Sequence, residues 1–432
     1  MGLQRVPFAL RRSFPYGPVF ATRMLRRILA GIGVSSVGDG LSTVAISWLT
    51  LRLAPPGERG LWVAFAVASY NLPGAIGTFV LAPWMRDRRG AQLAAWDATL
   101  RAVALLLVPL AYFAGVLSAP LFVGLLATSS LLNAWGKSGR YVLLAEILPA
   151  EHRLAGNAVI NVVLELSYVA GPPLAALLLL VVHPSVVIGV DALTFAVMAL
   201  IYRYGLPGQV RGKPIAVAAS RSAGFSAILR SRTSVVLITM SFLFFLFFLF
   251  FGFVGVALPV YVGSELKASA GVLAGYFTAF GLGGFLGAFG AGYLRRWPVL
   301  WSALVSILGV GLFLLPVGMP IPPIAGWISF GVAGLFWGPF PSTTTAYFQA
   351  AEQGSDLAAV LAARTALQVF ALPAGTLLAG PLVVALSARA TLLLAGSLIV
   401  ILAVATIVPI FAVTRNSAGD SVATGYPVKE RA

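Results

Sequence analysis

Three carboxylates stand inside long apolar runs of the chain: Asp39, Glu165 and Asp191. A charged group at the centre of an apolar helix costs about 2.5–3.5 kcal/mol, so each should face a cavity or a partner and mark function. Low dielectric favours the protonated form of an acid, and the chemistry open to such a group is reversible proton binding near neutral pH. Spacing strengthens two of the three. Ser36, Asp39, Thr43, Ser47 and Thr50 fall on one helical face, as do Asn157, Asn161, Glu165 and Tyr168, with Pro172 continuing the second row. A polar stripe on an apolar helix points to water or to other helices. Such acids can equally be neutral or satisfied hydrogen-bonding packers between helices. Asp191 has only Gly189, Val190 and Ala192 for neighbours and is read as structural. Asp97 lies four residues before Arg101, a spacing that suits an intrahelical ion pair, and it too is read as structural.

Other chemistries are poorly served. The chain has no cysteine, and its two histidines, His152 and His183, lie apart at the ends of apolar runs, so no metal site is expected. The signatures His-Glu-x-x-His, Walker A and Gly-x-Ser-x-Gly are missing. An aspartyl intramembrane protease using Asp39 and Asp191 would need a Gly-x-Gly-Asp setting, and Ser36 stands where the first glycine belongs.

The elements that hold these residues follow from composition. With 59% hydrophobic and 10% charged residues, the chain exposes more apolar surface than water tolerates and must be solvated by lipid. Its 432 residues accommodate twelve spans. Punctuation by charge, proline and glycine places them at 28–53, 61–82, 91–113, 119–145, 154–182, 185–204, 233–262, 269–294, 298–316, 322–350, 356–386 and 390–413. The fold class expected is an all-α polytopic membrane protein. It comprises a basic tail (1–27), a six-helix bundle (28–204), a connecting loop (205–232), a second bundle (233–413) and a tail (414–432). If the N-terminus is cytosolic, 24 of the 29 Lys and Arg residues fall on the cytosolic side and four, Arg52, Arg59, Lys267 and Arg389, outside. That asymmetry predicts both termini inside. It also explains the net charge of +16 through topology and anionic lipid, without nucleic acid.

The halves echo each other. Trp135-Gly136 and Trp337-Gly338 share an offset of 202 residues, which also sets Gly171 against Pro373. Paired six-helix halves predict a small-molecule site near the membrane midplane between them. Row Ser130, Asn133, Lys137, Arg140 on the fourth span would line one end of that cavity, and Gln368 and Arg364 on the eleventh would contribute from the other half. The run "SFLFFLFFLFFGF" (241–253) sets eight phenylalanines around the seventh span, which favours packing over a hydrophobic pocket.

"PWMRDRRGAQ" (83–92) resembles the loop between the second and third helices of the major facilitator superfamily, Gly-x-x-x-Asp-Arg-x-Gly-Arg-Arg. Asp87, Arg88 and Gly90 fit; Pro83, Ala91 and Gln92 depart. "VAGPPLAAL" resembles the fifth-helix antiporter motif in Gly171 and Pro172, with Ala175 and Ala176 in place of glycines. "SVGDGLSTVAISWLTL", "GRYVLLAEILPAEHRLAGNAV" and "VDALTFAVMAL" look like the drug:proton antiporter subfamily of macrolide and enterobactin exporters. The resemblance spans the whole chain. It implies alternating access, a cytosolic latch at Asp87, Arg88 and Gly90 with Lys137 and Arg140 beside it, and a hinge at Gly171 and Pro172. Three arginines after a span would serve topology alone, and Asp87 among them is also a plain surface ion pair. Neighbouring subfamilies carry an arginine in mid fourth helix; this sequence has none between Arg101 and Arg140, so a proton relay here must be built differently.

The function expected is proton-coupled efflux of hydrophobic or amphipathic small molecules, with Asp39 and Glu165 as coupling residues and Ser36, Thr43, Asn133, Asn157, Asn161, Tyr168 and Gln368 as polar cavity lining. Uptake or facilitated transport of another small molecule or lipid is the alternative, and an intramembrane enzyme a remote one. The energy source would be the proton gradient, with no cofactor or metal. The partners would be a small hydrophobic substrate and the lipid bilayer, for a monomer in the bacterial cytoplasmic membrane.

Overall fold

A computed structural model describes residues 17–21, 23–85, 88–149, 152–205, 234–290, 299–341, 343–344 and 355–416. Asp87, and with it the centre of the loop motif, lies outside them. The fold is all-helical, and no strand occurs among the described residues. Eight helices are individually long and apolar enough to cross a membrane, with shorter apolar helices between them. Leu177, Leu180, Val181 and Phe289 turn more than 60% of their surface outward, an arrangement that only a lipid surround makes stable.

The helices follow the expected spans with local differences. The first runs Arg23–Leu53, the third Gly90–Phe113, the fifth Arg153–Leu178 and the sixth Pro184–Tyr204. The seventh, eighth and ninth are Ser234–Val260, Ala270–Gly290 and Val299–Leu314. The tenth, eleventh and twelfth are Pro323–Trp337, Ser355–Leu386 and Ala388–Asn416. Two spans expected to be continuous are broken. The second divides into Arg59–Ser69 and Leu72–Val80, with Tyr70 and Asn71 in the turn and Pro73 opening the next segment. Proline disfavours helical backbone in the residue before it and lacks the N–H needed to continue the ladder. The fourth divides at Leu131 and Leu132 into Ala119–Ser130 and Asn133–Ile147.

The chain forms two compact units. One comprises the segment up to Ile46 together with Ser69–Val217; the other comprises Ser47–Ala68 and the chain from Ala218 onward. In the first unit the first and fifth spans approach through Gly40 and Gly171, whose Cα atoms face each other closely enough that a side chain on either would meet backbone. In the second unit the seventh and eleventh spans meet in the same manner through Gly252 and Gly375. Each unit thus has a glycine-to-glycine helix contact, with Gly375 two residues beyond the Pro373 that the 202-residue offset sets against Gly171. Small residues let backbones approach where lipid supplies no hydrophobic drive.

The second unit is capped by polar contacts at its loops. Glu265 accepts from the Ala388 and Arg389 backbone N–H groups at 2.7 and 3.1 Å, a negative charge at the start of the twelfth span. Arg59 donates to Ser264 at 3.1 Å and the Arg389 side chain to the Gly318 carbonyl at 2.9 Å. Phe244, Phe247 and Phe248 of the phenylalanine run are buried against one another and against Trp337 and Phe340. These rings pack; Phe242, 60% exposed, faces outward.

Substituting Gly40 or Gly171 by valine is expected to lower the apparent melting temperature of the purified protein, in line with the roughly 1–3 kcal/mol of an overpacked contact. The double variant should lose less than the sum of the two, because one separation of the helices accommodates both side chains. Full additivity in a thermal-unfolding series would contradict the contact.

Candidate functional site

The first unit gathers its membrane-embedded charges around one side chain, Arg101. This residue stands in mid third span and is 3% exposed. Its Nη1 reaches Asp39 Oδ1 of the first span at 3.1 Å, and its Nε lies 3.4 Å from Asp97 Oδ1, one turn earlier on its own helix. The intrahelical pair expected from the Asp97 spacing is present, but it is half of a bridge. The guanidinium joins the first and third spans.

The break in the second span supplies the next contact. Tyr70, placed in the turn between the two helical segments, donates its hydroxyl to Asp39 Oδ1 at 2.5 Å. Arg101 Nη1 also lies 3.4 Å from that hydroxyl oxygen, and the guanidinium sits over the Tyr70 ring at 5.4 Å and over Phe195 of the sixth span at 5.0 Å. Rings on two sides hold a weakly hydrated guanidinium well, where a lysine ammonium would lose its water without equivalent return.

Asp191 completes the group from the sixth span. It is fully buried and receives Ser42 at 2.5 Å on Oδ2 and Thr194 at 3.2 Å on Oδ1. Gly38 makes room for it, since a Cβ there would collide with the carboxylate. Gly136 does the same for Asp97, with the Asp97 side chain filling the place of the missing Cβ. Trp135 beside it fixes the fourth span by donating to the Gly77 carbonyl at 3.0 Å. Asp39 differs from the other two acids in access: 32% of its side chain remains exposed against 8% for Asp97.

Placement of the remaining sequence-derived candidates is mixed. Ser36 and Asn133 are buried, and the Ser36 hydroxyl has no hydrogen-bond partner among the described residues. Thr43 donates to the Asp39 carbonyl of its own helix at 3.0 Å. Gly90 is buried against the Gly139 carbonyl of the fourth span, and Arg88 lies outside that contact, over the Trp96 ring at 5.3 Å. Lys137 is exposed and Arg140 partly so. Pro172 is buried next to Gly171. The side chains of Asn157, Asn161, Glu165, Tyr168, Arg364 and Gln368 lie outside the described residues. Among the described residues no cluster of metal-ligating side chains occurs.

Residues 98–371 match the family model described as Major Facilitator Superfamily. The chain belongs to the Major Facilitator Superfamily. No curated protein sequence matches it significantly. Three solved transporters are similar in structure. A mutant of the nucleoside transporter NupG aligns with TM-score 0.63 and 13% identity, over 89% of this chain and 98% of that one. A bacterial homolog of the human lysosomal transporter Spinster, inward-facing and unoccupied, aligns with TM-score 0.64 and 12% identity over 96% and 100%. An auto-inhibited POT family peptide transporter aligns with TM-score 0.68 and 11% identity over 90% and 97%. At those identities the likeness is one of fold. The protein is accordingly a multi-pass membrane transporter of this superfamily and not an enzyme.

Sequence reasoning picked out Asp39 and paired Arg101 with Asp97 as structure, but it did not join Arg101 to Asp39 and left Tyr70 aside. The available signal for Arg101 was that no other basic residue among the 29 stood well inside an expected span of the first half without a loop nearby. For Tyr70 it was the turn-forming Asn71 and Pro73 in the middle of an apolar run.

Replacing Arg101 with alanine should cost about 3–5 kcal/mol of stability, since it strands the carboxylates of Asp39 and Asp97. Adding Asp39→Asn and Asp97→Asn to that variant should restore much of the loss. Denaturant unfolding of the purified variants checks this, and an Arg101→Ala protein as stable as the parent would contradict the bridge.

Proposed function

We propose that this superfamily member is a secondary active transporter that exchanges protons for hydrophobic or amphipathic small molecules, exporting them from a bacterial cytoplasm by alternating access. The observation that supports this reading is the state of Asp39: a carboxylate that keeps access to solvent while sharing Arg101 with a buried second acid. Deprotonated, Asp39 holds Arg101 and Tyr70 and ties the first, second and third spans together. Protonated, it no longer attracts the guanidinium, which is left to Asp97 and the more distant Asp191. Proton binding thereby changes which helices the arginine joins, and a ligand that prefers one arrangement is coupled to the proton by that difference. Glu165 is the second coupling residue in this reading, and the inside-facing termini follow from the charge asymmetry of the loops.

The test uses everted membrane vesicles with a respiration-driven proton gradient, challenged with lipophilic cations, macrolides, siderophores and amphipathic acids. At least one compound is expected to collapse the gradient with the parent protein, and Asp39→Asn should abolish the response. Unchanged transport after Asp39→Asn together with Glu165→Gln would overturn the reading.

A further inference from the structure

Asp191 differs from the other two acids of the first unit in what holds it. Asp39 and Asp97 share Arg101, whereas among the described residues no lysine or arginine lies within 4 Å of the Asp191 carboxyl. The side chain is fully buried on the sixth span. It is seated over Gly38 of the first span, where a Cβ would collide with its Oδ1. Asp39 follows Gly38 directly in sequence. The titratable and charged groups that act on Asp191 are Asp39 on the first span, Arg101 on the third and Tyr70 in the break of the second.

Counting hydroxyl protons distinguishes the two forms of this acid. Ser42, itself fully buried, lies 2.5 Å from Oδ2. Thr194 Oγ1 lies 3.2 Å from Oδ1 but only 2.7 Å from the backbone carbonyl of Asp191. A threonine hydroxyl has one proton and two lone pairs, and the nearer acceptor, the carbonyl, takes the proton. What faces Oδ1 is then a lone pair. An ionised carboxylate has only acceptors to set against it, and would rest a whole buried charge on the single bond from Ser42. A carboxylic acid fits both contacts: its O–H donates to Thr194 Oγ1 and its carbonyl oxygen accepts from Ser42. Charge points the same way. Three ionised acids against one guanidinium would leave two negative charges without a cation, and neutral Asp191 leaves one. That remaining charge can lie at Asp39, whose side chain is 32% exposed.

We propose that Asp191 is a second proton-binding residue of the first unit, a neutral carboxylic acid while Asp39 is ionised and holds Arg101. Protonation of Asp39 removes a like charge from its neighbourhood and releases the guanidinium, and both changes favour the ionised form of Asp191. The two acids are thereby linked through Arg101. The accessible one takes up a proton, and the buried one can then lose its own. This linkage rests on the coupling reading of Asp39; the resting proton on Asp191 does not.

Infrared spectroscopy of the purified full-length protein, in a detergent free of ester groups, reads protonated carboxylic acids through a carbonyl band that shifts in D2O. At neutral pH the difference between parent and Asp191→Asn should contain such a band. Ser42→Ala should move it to higher frequency, because the carbonyl loses a hydrogen bond. The Asn variant should fold, since its amide group can make the same two contacts. In Asp39→Asn the band should be lost at a lower pH, with the proton held roughly tenfold more weakly. A parent protein without any such band at neutral pH overturns the proposal even if the variants fail to fold, and so does a band that survives Asp191→Asn intact. A midpoint unchanged by Asp39→Asn overturns the linkage. The Asp191 band is read on the protein at rest, so its presence in a protein that no compound discharges in vesicles separates failure of the transport reading from failure of this site.

Discussion

A guanidinium in the low-dielectric interior of a helix bundle stays in place only with negative charge and polarizable surface beside it. Arg101 has both: Asp97 on its own helix, Asp39 on the first span, and the rings of Tyr70 and Phe195 on the second and sixth. Four spans of the first unit are therefore arranged around one cation. The glycines at 38 and 136 and the break at Tyr70 read as consequences. Each removes bulk or bends a helix where the charged group would otherwise not close. Pairing here is weak evidence for stability as such, since desolvating the charges offsets most of their attraction. It is stronger evidence that the arrangement serves something else.

The two units reuse one scaffold for different interiors. Glycine contacts join the first span to the fifth and the seventh to the eleventh in the same way. The first unit fills the space between its helices with acids, an arginine and hydroxyls. The second fills it with stacked rings, Phe247 and Phe251 lying within 18° of parallel to each other and to Trp337. Even the repeated tryptophan is redeployed: Trp135 donates to a carbonyl of the second span, whereas Trp337 joins the aromatic stack. Among the described residues the interior of the first half is charged and that of the second is aromatic.

How much of this could be read from the sequence depended on whether the signal was local. Span number and apolar faces come from composition along the chain, and the all-helical fold followed. The breaks in the second and fourth spans were missed because the runs stay apolar across them, and only Asn71 and Pro73 mark the first. Asp39 announced itself as a charge in an apolar run. Asp191 was read as structural because its own helix carries no polar stripe, yet its partner Ser42 comes from 149 residues away. The third-span pair of Asp97 and Arg101 was visible at i,i+4 spacing, but that same local sufficiency concealed the long-range bridge to Asp39. Sequence periodicity shows which residues share a face; it does not show which faces meet.

The account turns on Asp39 being the carboxyl that takes up and releases a proton while Arg101 changes partners. Infrared difference spectroscopy of the purified protein across a pH titration observes that event directly, through the carbonyl stretch of a protonated carboxylic acid. The account predicts a pH-dependent band that disappears in Asp39→Asn and shifts its midpoint when Arg101 is replaced by glutamine. A titration unchanged by Asp39→Asn would place the proton elsewhere and contradict it.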